Sequence, residues 1–69
     1  MDGNLQSLPA ETRALIALAP VTVEWSVNMN CWLVHRNTDG KTYWVNRKNV
    51  DVDNWRAILA AILAAIVGP

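Results

Sequence analysis

Apolar and polar positions alternate through the middle of the chain, which predicts strands there. Residues 21–27 carry valine or tryptophan at every second position, with threonine, glutamate and serine between them. This period of two is typical of a strand with one buried face. Residues 31–36 and 41–46 are two more apolar segments of strand length, and polar stretches separate all three. We therefore expect a three-stranded antiparallel β-meander.

Two polar stretches mark the expected turns of this sheet. Residues 28–30 contain two asparagines, and residues 37–40 read Asn-Thr-Asp-Gly. Asparagine suits the first position of a type I turn, and glycine tolerates the positive φ of the bulge that closes it. On this basis Asn37 should lie opposite Lys41. One face of the hairpin would then carry Leu33, His35, Tyr43 and Val45, and the other would carry Trp32, Val34, Arg36 and Trp44.

The N-terminal part of the chain predicts one short helix over residues 8–18. Ser7 is a suitable N-cap, and Pro20 cannot continue a helix. Residues 1–6 precede the cap and are expected to be flexible. The residues expected on the inner side of this helix are Leu8, Leu15 and Leu18.

A second helix is expected over residues 54–67. Asp51 or Asp53 can cap it, and both carboxylates suit the positive end of its dipole. Gly68 and Pro69 would stop it. The predicted order of elements is therefore αβββα, which places the chain in the α+β class.

The length of the chain leaves room for one domain only, so residues 1–69 are expected to fold as a single unit. A domain of this size hides roughly 60% of its unfolded surface and usually needs a disulfide, a metal or a partner for stability. Cys31 is the only cysteine and His35 the only histidine. An intrachain disulfide is therefore excluded, and these two residues alone cannot form a closed zinc site. A partner subunit is the remaining source of stability.

The C-terminal helix is apolar on both sides, which predicts an association surface. Its larger apolar side chains fall on one half of a helical wheel and are expected to cover the sheet. An ordinary surface helix would carry charged residues on its other half, where this one carries only Arg56, at the border. Small residues there allow close helix contact, so we expect a homodimer or a higher even oligomer. The predicted oligomer interface comprises Ala57, Ala60, Ala61, Ala64 and Ala65.

Two other interpretations of these alanines stay open. Alanine is the best helix former, so the alanines could fill a solvated face without any partner. A helix lying on a membrane is disfavoured, because interfacial helices usually carry a polar face rich in lysine and arginine.

The second half of the sheet combines cations with aromatic residues, which is a weak indication of nucleic-acid binding. Aromatic side chains on a sheet can stack on bases while basic neighbours hold phosphates. The competing interpretation is a solvated rim around core tryptophans. Asp51 and Asp53 also count against a large positive patch. The candidate partner or nucleic-acid surface comprises Trp32, Arg36, Lys41, Tyr43, Trp44, Arg47 and Lys48.

The remaining residues predict no catalytic, metal or cofactor site. Cys31 and His35 share a strand face but lie about 13 Å apart along it, beyond hydrogen-bond reach. No pair of carboxylates is placed for acid–base work, and the three glycines stand alone at positions 3, 40 and 68. We therefore expect a chain that is not an enzyme and needs no cofactor.

The net charge and the first residues of the chain narrow the expected function further. The formal net charge is zero, so no overall field attracts nucleic acid or anionic lipid. The first residues lack the pattern of a signal peptide, and the lone cysteine suits the cytoplasm. We expect a small accessory or interaction module, such as an inhibitor or regulator, that binds itself and another protein. The alternative is a regulator that binds nucleic acid.

Overall fold

A computed structural model describes residues 5–64 and confirms the predicted α+β class with the order αβββα. A short 3-10 turn, Leu5–Ser7, precedes these elements. Residues 1–4 of the segment expected to be flexible lie outside the described part. The elements are α1 (Ala10–Leu18), β1 (Val21–Ser26), β2 (Cys31–Arg36), β3 (Thr42–Asn46) and α2 (Val52–Ala64).

The three strands form one antiparallel sheet with β2 in the centre. The predicted register between β2 and β3 is wrong by one residue. With Asn37 opposite Lys41, Val34 would lie opposite Trp44, whereas the structure pairs Val34 with Tyr43. The Arg36 amide donates to the Lys41 carbonyl over 2.8 Å, so the loop holds four residues rather than three. A shift of one residue turns the side chains of β3 to the opposite face. Gly40 has the expected positive φ, at +74°.

The observed register separates a covered face of the sheet from an open one. The covered face contributes the strand residues of the hydrophobic core: Val21, Val23, Trp32, Val34 and Val45, with Trp25 and Tyr43 packed beside them. We call the opposite side the open face, and it carries Thr22, Glu24, Leu33, His35, Thr42 and Trp44. Tyr43 and Trp44 therefore stand on the faces opposite to those expected.

The turn between β1 and β2 begins earlier than expected. Val27 belongs to this turn rather than to β1 and is exposed. The Asn30 amide donates to the Ser26 carbonyl over 2.8 Å, and Asn30 has a φ of 55°. Asparagine tolerates this left-handed conformation better than most residues, which explains its place at the end of the turn.

Helix α1 differs from the prediction at its start and in its inner side. It begins after Pro9 without a side-chain N-cap, and Ser7 lies in the preceding 3-10 turn. Its buried residues are Thr12 and Ile16, whereas Leu18 is 86% exposed. Leu8, Thr12 and Ile16 are four residues apart, so they follow one row along the helix direction. Of the three residues expected on the inner side, Leu8 is buried and Leu15 packs partly buried against the core, so the prediction is wrong only for Leu18.

Thr12 lies on the buried side because its hydroxyl has a partner there. The Oγ1 atom donates to the Val50 carbonyl over 2.8 Å, across the contact between α1 and the segment before α2. A buried hydroxyl with a hydrogen bond avoids the cost of an unpaired polar group. This bond joins the N-terminal part of the fold to the start of α2.

Helix α2 covers the sheet with its large residues, as the wheel predicted. Trp55, Leu59 and Ile62 are buried in the core, and the Trp55 Nε1 atom donates to the Asn49 carbonyl over 2.7 Å. The helix begins two residues earlier than predicted, directly after Asp51. Its predicted end near residue 67 lies outside the described residues. Both helices contribute to one core with one face of the sheet, so they lie on the same side of it.

Candidate interaction surfaces

The alanines predicted as an interface lie on the solvent side of α2. Four of them are described, and all four are exposed: Ala57, Ala60, Ala61 and Ala64. We call these four residues the alanine face. The fifth predicted member, Ala65, lies outside the described residues. Arg56 pairs with Asp53 over 3.0 Å near the N-terminus of this helix, so the charged pair lies at one end of the alanine face.

Helix α1 adds small apolar residues to the same outer layer, which the sequence interpretation missed. Its exposed residues include Ala10, Ala14 and Ala17, spaced by four and three. This spacing places three methyl groups on one side of α1. Because both helices lie on the same side of the sheet, the outer surface of the helix layer combines two alanine-rich helices. The spacing in the sequence was a sufficient signal for this feature.

The open face of the sheet carries one large exposed aromatic residue. Trp44 is 69% exposed and lies opposite the half-buried Leu33 of β2. Glu24 of β1 completes this cross-strand row. Both helices pack on the other side of the sheet, so this row has no helix over it among residues 5–64.

A hydrogen-bonded row lies beside Trp44 on the open face. His35 Nε2 lies 2.8 Å from Glu24 Oε2, and His35 Nδ1 lies 2.8 Å from Thr42 Oγ1. A carboxylate only accepts hydrogen bonds, so Nε2 carries the proton and, in the neutral ring, Nδ1 accepts from the threonine hydroxyl. The row links β1, β2 and β3 through side chains. Cys31, the residue first considered beside His35, is buried and has a free thiol.

Two members of the predicted partner or nucleic-acid surface are buried instead of exposed. Trp32 is 2% exposed and belongs to the core, and Arg36 is 4% exposed. Both lie on the covered face, beneath the helices. They are therefore unavailable to a partner at the surface.

Arg36 holds the hairpin against α2. Its Nε and Nη2 atoms donate to Asp39 over 3.0 and 2.6 Å, and Nη1 donates to the Ile62 carbonyl over 2.6 Å. The Tyr43 ring centroid lies 5.4 Å from the guanidinium carbon. The hydrogen bonds from Arg36 lower the pKa of Asp39 from 3.8 to about 2, and the Asp39 carboxylate raises the pKa of Arg36.

The other cations of the predicted surface lie at the two ends of β3. Lys41 precedes the strand, and its ammonium group lies 5.9 Å from the ring centroid of the half-buried Tyr43. Arg47 and Lys48 follow the strand, and all three cations are exposed. Only these cations and Trp44 remain as exposed members of the predicted set.

A cavity of about 350 Å³ lies beside the first two strands, and no pattern in the sequence indicated it. Trp25 and Trp32 face each other across β1 and β2 there, with ring centroids 5.1 Å apart and the planes at 73°. Among the described residues, the indole N–H of Trp32 has no hydrogen-bond acceptor. We call this space the indole cavity, and its lining comprises Ser7, Trp25, Asn30, Trp32, Arg47 and Val50.

Within residues 5–64, no three side chains of histidine, cysteine, aspartate or glutamate come together around a metal-sized space. Neither described helix has the length and apolar character needed to cross a bilayer. Comparison with protein-family models, curated proteins and solved structures found no match to this chain.

Proposed function

We propose that this chain is a small non-enzymatic interaction module that pairs with a second copy of itself through the alanine face. The exposure of Ala57, Ala60, Ala61 and Ala64 on a helix whose opposite side is buried carries this proposal. A second copy is the simplest occupant, because a two-fold contact lets one patch meet itself. Higher even oligomers follow if α1 contributes a further contact.

The physical reason for pairing is the small size of the side chains on the alanine face. Methyl groups spaced by three and four residues let two helix backbones approach closely and pack along their length. The alanines of α1 extend this apolar surface across the helix layer. A domain of this length has little interior of its own, so burial between copies adds the stability that a larger core would supply.

The open face is the surface we assign to another macromolecule. Exposed tryptophans are enriched among the residues that dominate protein interfaces, and Trp44 stands beside the apolar Leu33. A module that pairs through its helices presents two such faces outward, one from each copy. This arrangement fits an inhibitor or regulator that acts by covering a partner. The free thiol of Cys31 fits the cytoplasm as the place of action.

Sedimentation of the purified chain tests the pairing. We expect the parent to sediment as a dimer and Ala57→Glu/Ala64→Glu as a monomer, because two carboxylates would be forced into the contact from each copy. The matched control is Asn28→Glu/Thr38→Glu, which adds the same charge at exposed turn residues outside the helix layer. The control should remain dimeric. A parent that sediments as a monomer over the whole accessible concentration range would overturn the proposal.

Nucleic-acid binding is the second candidate, favoured by the exposed Trp44 and by the exposed cations Lys41, Arg47 and Lys48 at the two ends of β3. Lys41 and Arg47 lie toward the covered side of the sheet, whereas Trp44 lies on the open face. The burial of Trp32 and Arg36 leaves it with a smaller surface than the sequence indicated. If these three cations each contact one phosphate of a single-stranded nucleic acid, added salt should weaken binding. The logarithm of the binding constant should then fall with the logarithm of the salt concentration, with a slope of about −2. A protein partner held mainly by Trp44 and Leu33 would show much weaker salt dependence.

A further inference from the structure

We propose that the indole cavity binds a small aromatic carboxylate. Its volume of about 350 Å³ is at the lower end of the range for ligand pockets, which sets the size of the ligand at one or two rings. The inference concerns a different part of the molecule from the alanine face and does not depend on pairing.

The shape of the ligand follows from the two indoles. Trp25 and Trp32 are fixed by their strands as a cross-strand pair and meet edge to face. Val50 adds an aliphatic wall on the segment before α2. A flat apolar body packs well against such surfaces, and aromatic rings gain further from edge-to-face contact.

The charge of the ligand follows from Arg47. It is the only charged residue among the described residues of the lining, and none of these is a carboxylate. Arginine presents a planar set of donors that matches a carboxylate in two parallel hydrogen bonds. Asn30 and Ser7 add polar groups to the same wall. The lining therefore selects an anion over a cation.

The four tryptophans allow a direct test by NMR, because each indole N–H gives its own signal. Phenylacetate is the probe, and it is titrated into the ¹⁵N-labelled full chain. We expect saturable shifts of the Trp25 and Trp32 indole signals. Trp44 lies on the open face and should not shift. Assignment uses the single variants Trp25→Phe, Trp32→Phe and Trp44→Phe.

Matched ligands and variants separate specific binding from general adhesion. Phenylacetamide keeps the shape of phenylacetate without its charge and should bind more weakly. Arg47→Gln should weaken phenylacetate binding roughly fivefold, as for an exposed ion pair at the upper end of its range. Lys48→Gln removes a neighbouring exposed cation outside the lining and should bind like the parent.

Three outcomes would overturn the inference. The first is the absence of any saturable shift of Trp25 and Trp32 up to the solubility limit of phenylacetate. The second is an equal shift of Trp44, which would indicate adhesion to exposed aromatic residues. The third is equal binding by Arg47→Gln and Lys48→Gln, which would show that the cation of the lining has no part. Arg47 is exposed, so its replacement leaves the fold intact and the comparison interpretable.

Discussion

Arg36 shows how a single charged residue can become part of a core. Its aliphatic stem lies on the covered face while its guanidinium donates to Asp39 and to the Ile62 carbonyl. A buried charge is tolerated only when it is paired and hydrogen-bonded, and both conditions are met here. The sequence placed this residue on a surface because arginine is usually exposed.

Replacement of Asp39 tests this arrangement at the level of one residue. Asp39→Asn should lower the thermal unfolding midpoint at pH 7, because the buried guanidinium loses its counter-charge. Asp53→Asn is the matched control, since Asp53 pairs with an exposed arginine at the surface. Thermal unfolding followed by circular dichroism at fixed protein concentration measures both. Equal losses in the two variants would contradict the structural role of Arg36.

The pH dependence of the same pair has a definite sign. The folded pKa of Asp39, about 2, lies below the ordinary value of 3.8, so folding stabilises the charged carboxylate. This contribution to stability is complete above pH 4 and is lost as the pH falls from about 4 to about 2. The difference in unfolding midpoint between the parent and Asp39→Asn should therefore narrow over this interval. A constant difference from pH 7 to pH 2 would contradict the assignment.

At the level of the element, the β2–β3 loop decides which side chains of β3 are covered. Because the loop holds four residues instead of three, the side chains of β3 turn to the opposite face of the sheet. Tyr43 therefore faces the helices and Trp44 faces away from them. The local composition of residues 37–40 is compatible with either loop length. The choice follows from which register buries Val45 beside Trp32, and this depends on the helices above them.

Gly40 provides a test of the loop conformation. Its φ of +74° is costly for residues with a Cβ, although a Cβ built there would meet no atom within 4 Å. Gly40→Ala should therefore lower the free energy of unfolding by about 1 kcal/mol through backbone strain alone. Gly40→Asn should lower the free energy of unfolding by less than Gly40→Ala does, since asparagine tolerates the left-handed region. Urea unfolding measures both, and a larger loss for asparagine than for alanine would contradict the conformational cause.

Helix α1 shows a second limit of local patterns at this scale. The sequence placed Leu15 and Leu18 inside, whereas the structure keeps Leu15 partly buried, turns Leu18 outward and buries Thr12 and Ile16. The hydrogen bond from Thr12 to the Val50 carbonyl favours this rotation. Its acceptor lies 38 residues away along the chain, so no window around α1 contains it.

At the level of the whole molecule, both helices lie on one side of a single sheet. The molecule therefore has two dissimilar outer surfaces, an alanine-rich helix layer and an open sheet face that carries Trp44. A protein with this division can pair through one surface and remain free to bind through the other. Both proposed contacts can then exist together.

Concentration dependence of stability tests pairing in the intact molecule. If the folded chain pairs and the unfolded chain does not, mass action raises the unfolding midpoint as protein concentration rises. We expect this rise for the parent and for Asn28→Glu/Thr38→Glu. Ala57→Glu/Ala64→Glu should have a midpoint independent of concentration. Calorimetry over a hundredfold range of protein concentration measures the unfolding midpoint of each chain. A parent whose midpoint does not rise with concentration would argue against the dimer.

The chain's local patterns were sufficient for the order of its elements and for the two-sided character of α2. Alternation with a period of two and rows spaced by three and four depend on residues a few positions apart, so they are visible without the fold. Register, helix rotation and the indole cavity depend on contacts between distant segments. The cavity joins Ser7, Asn30 and Arg47, and the loop length follows from burial beneath two helices. Only tertiary packing could decide these features, because the competing local arrangements have similar energies until the core is assembled.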